Sequence, residues 1–164
     1  MKRLFIIRHA KSDWANAELG DIERPLNERG KTDSVLIGSK LSQKYKAPDV
    51  VISSPAIRAM KTAKRICKEI GYSKDIQLMD SLYEFNEVQS YYRAVEQIPI
   101  NAETAFLFGH NPVISEFAEE LSGSFIGYVP TCSVFVVDLE IDNWIEITSG
   151  CGKKVDYFYP RMFK

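Results

Sequence analysis

One pattern constrains this chain more than any other. Three short apolar runs, Leu4–Ile7 (LFII), Val50–Ile52 (VVI) and Thr104–Phe108 (TAFLF), are each followed by polar or turn residues and then by a stretch with helical periodicity. A strand buried on both faces reads as a continuous apolar run rather than an alternating one. Parallel neighbours of that kind need a long crossover, usually a helix. Strand, helix, strand, helix, strand, helix therefore implies an α/β fold: a three-layer sandwich around a mostly parallel central sheet, with helices on both faces and right-handed crossovers. At 164 residues the chain has the length of about one domain, and no repeat, low-complexity tract or linker divides it, so residues 1–164 are expected to form a single domain.

Between these runs the local signals are specific. Ser12 to Asn27, punctuated by Gly20 and Pro25, reads as a loop. From about Gly30, the residues Val35, Leu36, Leu41 and Tyr45 are spaced to share one helical face, and Pro48-Asp49 ends that helix. Ser54-Pro55 predicts a second helix with Ser54 as its cap, carrying Ile57, Ala59, Met60, Ala63, Ile66 and Ile70 and closing at Gly71. Ile76 to Met79 reads as a short strand, Leu82 to Gln97 as a helix, and Val113 to Leu121 as another that stops at Ser122-Gly123. Val134–Leu139 and Trp144–Thr148, joined by Asp142-Asn143, predict a closing hairpin, and Lys153-Lys154 a solvated turn.

Charge and cysteine content exclude several classes. Twenty-one basic against 22 acidic residues leave a net charge of -1, so no global field favours nucleic acid or an anionic membrane, and any anion binding must be local. Three separated cysteines and two histidines supply neither a disulfide framework nor a zinc set. Four apolar residues before Arg8 are too few for a secretory signal, which makes a cytoplasmic, monomeric protein without metal or cofactor the default expectation.

The chemistry is concentrated at the ends of the apolar runs. Arg8-His9 follows the first and His110-Asn111-Pro112 the third, so both histidines of the chain emerge beyond the carboxyl ends of predicted parallel strands. That edge is where open α/β sheets bind ligands. Arg58 falls in the first turn of the helix after the second run, where unpaired amides and the macrodipole already make the potential positive. A cation placed there calls for an anion in front of it. Two arginines, two histidines and a helix start specify a pocket for a tetrahedral oxyanion. A flavodoxin-like nucleotide or receiver domain would need a glycine-rich loop or an acidic cluster after the first strand, and neither is present.

The motifs RHA at Arg8–Ala10, SSPAIRAMKTA at Ser53–Ala63 and GHNP at Gly109–Pro112 resemble the histidine phosphatase superfamily, which includes the phosphoglycerate mutases. RHAKSDW, ERPLNERG at Glu23–Gly30 and the short length resemble its SixA-type phosphohistidine phosphatase branch, and Pro130-Thr131 extends the match. The resemblance implies that His9 is the nucleophile that accepts the phosphoryl group. It implies that Arg8, Arg58 and His110 bind its oxygens, with Asn111 as a further substrate contact. Neighbouring guanidinium groups are expected to keep His9 neutral. Ala10 stands where the commonest family pattern has glycine, a change that is tolerated if the backbone avoids positive φ there. Mutases of the family use a glutamate as general acid. Glu84 occupies about that place, with Glu87 and Asp13 as rivals, and a helix start is the alternative role for Glu84. Arg24 either lines the pocket or ties down its loop by an ion pair. Tyr83, Tyr91 and Tyr92 are expected to pack against the core or rim.

The implied substrate is a phosphorylated protein, a histidine phosphotransfer domain among the possibilities, or a small phosphate ester. The other readings are a metabolite phosphatase or mutase of the same superfamily and a non-catalytic phosphate-binding module. Only about 20 residues separate Leu82 from Thr104, too few for a large lid, which favours phosphate carried on a protein.

Overall fold

The computed structural model describes residues 1–85 and 87–164. Its centre is a six-stranded sheet. The strands are β1 (Lys2–Arg8), β2 (Val50–Ser53), β3 (Gln77–Leu78), β4 (Thr104–Gly109), β5 (Val134–Leu139) and β6 (Gly152–Phe158), in the order β3-β2-β4-β1-β5-β6. The first four run parallel, while β5 lies antiparallel to β1, and β6 to β5.

Helices α1 (Glu28–Lys44) and α2 (Ile57–Ile70) cover one face. There Phe5, Ile7, Val51, Phe106 and Phe108 meet Ile37, Leu41, Ala63 and Ile66. After the single-turn α3 (Ser81–Glu84), helices α4 (Val88–Glu96) and α5 (Val113–Ser122) cover the other face. Leu4, Ile6, Ile52 and Leu107 there meet Tyr91, Val95, Phe117 and Leu121. Consecutive strand residues point to opposite faces, so each continuous apolar run feeds both cores. This is the three-layer architecture expected from the sequence. Among the described residues no helix is long and apolar enough to cross a membrane.

Four local expectations need correction. The segment expected to close the hairpin is a 3-10 turn, Trp144–Glu146, and the last strand is β6. Trp144 is fully buried, with its indole N–H donating to the Ala102 carbonyl at 2.8 Å, so its apolar character serves the core rather than a sheet. Lys153 and Lys154 lie on that edge strand, not in a turn, exposed where charge blocks edge-to-edge pairing. In α1 the buried face is Ser34, Ile37, Gly38 and Leu41, while Val35 is exposed. Gly38 sets this rotation, because a Cβ there would lie 2.7 Å from the Cβ of Glu69 on α2. The stretch expected as one helix over 82–97 is split into α3 and α4, on either side of residue 86, which lies outside the described residues.

Candidate active site

Strand register builds the site. Arg8 pairs with Gly109, and Ser53 with Phe108, so β1, β2 and β4 end level with one another. The ladder extends one step further on each side, with His9 N–H donating to the Gly109 carbonyl and Ser54 N–H to the Phe108 carbonyl, each at 3.1 Å. His9, Ser54 and His110 are thus the first residues beyond three adjacent strands. The two imidazole centroids are 5.2 Å apart.

His9 is held from several directions. Its Nδ1 donates to the Ala10 carbonyl at 2.7 Å. That bond fixes the tautomer and leaves Nε2 with its lone pair free to attack. The Ala10 N–H donates to Thr62 Oγ1 at 2.9 Å, and Thr62 donates back along α2 to the Arg58 carbonyl at 2.7 Å. The His9 loop and the arginine-bearing turn are therefore tied together. Ala10 is absent from the positive-φ positions, so nothing there requires glycine. Burial pushes the His9 imidazole down from 6.5 to about 3, with His110, Arg58 and Arg8 adding to the shift. The guanidinium groups thus help keep it neutral as expected, and desolvation is the larger cause.

Arg8 and Arg58 are each gripped at one end. Arg8 Nη1 donates to the Val129 carbonyl at 2.6 Å. Arg58 donates through Nη1 to the Asp21 carbonyl at 2.7 Å and through Nη2 to Asp21 Oδ2 at 3.0 Å. In both arginines Nε is buried and has no hydrogen-bond partner among the described residues, and His110 Nδ1 is in the same condition. Buried polar atoms left unpaired are costly, and such atoms are few in native structures. Three of them fall on three of the four residues that the sequence singled out.

His110 arrives on β4 with its own supports. Its backbone N–H donates to the Tyr91 hydroxyl at 3.0 Å, and its Nε2 meets Ser54 Oγ at 2.7 Å. Burial lowers its pKa from 6.5 to about 4, with Arg58 as the next cause. Ser54 is therefore not the cap of α2. That helix starts at Ile57 with Ala56 at the capping position, although Arg58 remains in the first turn.

The remaining candidates separate clearly. Arg24 is a clamp: it donates to Asp21 Oδ1 at 3.1 and 3.0 Å and to Ser12 Oγ at 2.7 Å, with its guanidinium 3.5 Å from the centre of the Trp14 ring. Asn111 donates to the Val129 carbonyl at 3.3 Å, beside Arg8, and accepts from Ser115. Glu84 ends α3 rather than starting a helix. It is exposed and makes no hydrogen bond or ion pair with the site among the described residues. Glu87 is exposed before α4, and Asp13 accepts from the Ala15 N–H within its own loop.

Sequence reasoning missed Asp21, which binds Arg58, Arg24 and the Tyr83 hydroxyl together, the last at 2.8 Å. These contacts hold its carboxyl down at about 2 despite the opposing effect of burial. Besides Arg24, three positions on, its partners lie 37 and 62 positions away, so no local signal marks its link to the site.

Comparison with known proteins bears on the fold and the family. An uncharacterised chloroplastic protein of Arabidopsis thaliana is 28% identical over 159 residues, covering 92% of this chain and 72% of its own. A protein histidine phosphatase SixA solved with tungstate superposes with a TM-score of 0.84 at 20% identity, covering 99% of each chain. A structure described as glucosyl-3-phosphoglycerate phosphatase, of mycobacterial origin, gives 0.67 at 15% identity over 93% of this chain and 96% of its own. The profile of the histidine phosphatase superfamily (branch 1) matches residues 4–125, and the chain belongs to that superfamily.

Proposed function

We propose that this protein is a phosphatase that takes a phosphoryl group onto Nε2 of His9 and passes it to water, acting on phosphate carried by proteins, phosphohistidine included. The single observation that carries the reading is the set of buried, unpaired nitrogens on Arg8, Arg58 and His110, close enough to His9 for their charges to act on its imidazole. A tetrahedral oxyanion would pair all of them at once.

In the first step the Nε2 lone pair attacks phosphorus in line, the bond to the leaving oxygen or nitrogen breaks, and the leaving group takes a proton from solvent, to which the attacking water of the second step returns one. In the second, water attacks the phosphoimidazole, the P–N bond breaks, and phosphate departs. No carboxylate among Glu84, Glu87 and Asp13 is bonded into the site to act as a strong acid. A nitrogen leaving group is protonated readily, which suits phosphohistidine. The site's surroundings support a protein-borne substrate. Trp14, packed on Arg24, and Tyr128, beside the Arg8 guanidinium, are 69% and 81% exposed, flat apolar surfaces at the rim that a small ester would not use.

The test compares hydrolysis of a phosphohistidine protein, a phosphoserine peptide and an aryl phosphate by wild type and His9→Ala. Wild type is expected to favour the first, and the variant to lose at least about a thousandfold on all three. Preference for the small ester would assign a metabolite phosphatase instead. An inert wild type that still binds phosphate would leave a binding module.

A further inference from the structure

We propose that Ser54 is a positioning residue that holds His110 in its Nδ1–H tautomer, so that this ring enters the anion pocket as a neutral hydrogen-bond donor rather than as a cation. The assignment follows from counting protons in a dry place. Ser54 is fully buried, and its Oγ accepts from the Ala56 N–H at 3.2 Å and lies 2.7 Å from His110 Nε2. One proton occupies the short Oγ···Nε2 contact. If it belonged to the imidazole, the serine hydroxyl proton would have no acceptor among the described residues, and His110 Nδ1 would turn a lone pair into the pocket. If it belongs to the serine, the hydroxyl proton and Nε2 satisfy each other. Nδ1–H is then the buried, unpartnered donor that the structure shows.

The surrounding charges favour the neutral form. The groups facing the ring are Arg8 and His9 after β1, Asp21 and Arg24 from the preceding loop, Arg58 on α2, Tyr83 on α3 and Tyr91 beneath it on α4. Three guanidinium groups against one carboxylate oppose an imidazolium, in line with the lowered His110 pKa of about 4. A pocket that needs a third donor without a third positive charge gets one by fixing the tautomer. Topology makes this possible: Ser54 directly follows β2 and His110 directly follows β4, paired neighbours in the sheet. The role in anion binding rests on the proposed phosphatase site, whereas the tautomer itself does not.

Nitrogen NMR of the wild-type protein, labelled at its only two histidines, reads the tautomer directly at about pH 7. The expected spectrum has both rings neutral with Nδ1 protonated, and His110→Gln assigns the signals. A His110 ring protonated at Nε2, or at both nitrogens, overturns the proposal whatever the enzyme turns over. Calorimetry with inorganic phosphate supplies the functional arm. Ser54→Ala is expected to bind about tenfold more weakly than wild type near pH 8. That ratio is expected to shrink toward one only as the pH falls below about 4, where protonation of the ring restores a donor at Nδ1. Ser54→Thr, which keeps the hydroxyl, is expected to follow wild type. A Ser54→Ala deficit that stays constant with pH, or none at all, contradicts the role. Absent phosphate binding by wild type would instead defeat the phosphatase reading and leave the tautomer to the spectrum.

Discussion

At the scale of single residues, the site works by withholding partners. His9 is kept neutral mainly because it is buried, and its pKa of about 3 has a consequence for stability. The unfolded imidazole titrates near 6.5. Between about 6.5 and 3 the unfolded chain binds a proton that the folded one refuses, so stability is full above 6.5 and falls as the pH drops through that window. His110, at about 4, acts in the same direction over the upper part of the window. Urea unfolding between about pH 4 and 8 checks this, and His9→Ala is expected to flatten the dependence. The same burial predicts that kcat/KM, corrected for substrate ionisation, shows no acid limb near 6.5. Arg8, His9 and His110 were legible because each stands at or just past the end of an apolar run, and Arg58 because a cation in the first turn of a helix calls for an anion. Ser54 and Asp21 were not: serine before proline also spells a helix cap, and the partners of Asp21 exist only once the chain is folded.

At the scale of elements, the strand ends depend on what packs beneath them. Gly109 ends β4 directly against the Tyr91 ring of α4, and a Cβ there would collide with the Tyr91 hydroxyl and ring. Gly109→Ala is expected to cost about 1–3 kcal/mol of stability by overpacking and to displace the hydroxyl that holds the His110 N–H. Denaturant unfolding and the rate on an aryl phosphate measure the two effects. The central strands β1, β2 and β4 were legible because burial on both faces removes polar residues from them. The far edge was not. β6 has a solvated stretch, Lys153 to Val155, that shows little hydrophobic pattern, while the buried Trp144 nearby mimicked a strand. Likewise, the face of α1 was misjudged because close approach at Gly38, rather than the spacing of Val35 and Leu36, decides how the helix sits on α2.

For the whole molecule, the topology explains why residues more than 100 positions apart share a pocket. β1 pairs in parallel with β4 and β4 with β2, so three strand ends meet at one edge of the sheet. On the proposed reading, in which Arg8, Arg58 and His110 bind the anion, phosphate or tungstate is expected to bind the folded state selectively. At about 100 times the dissociation constant it should stabilise the protein by about 2.7 kcal/mol. Thermal unfolding with and without the anion measures this, and Arg58→Ala is expected to lose most of the gain. The most direct test of the central claim is to quench the protein in alkali during turnover of an aryl phosphate and map the trapped phosphate by mass spectrometry. A base-stable, acid-labile phosphate on His9 is the expected result. Phosphate on His110, on a serine or threonine, or on no residue while turnover proceeds would contradict the assignment of His9 as the nucleophile.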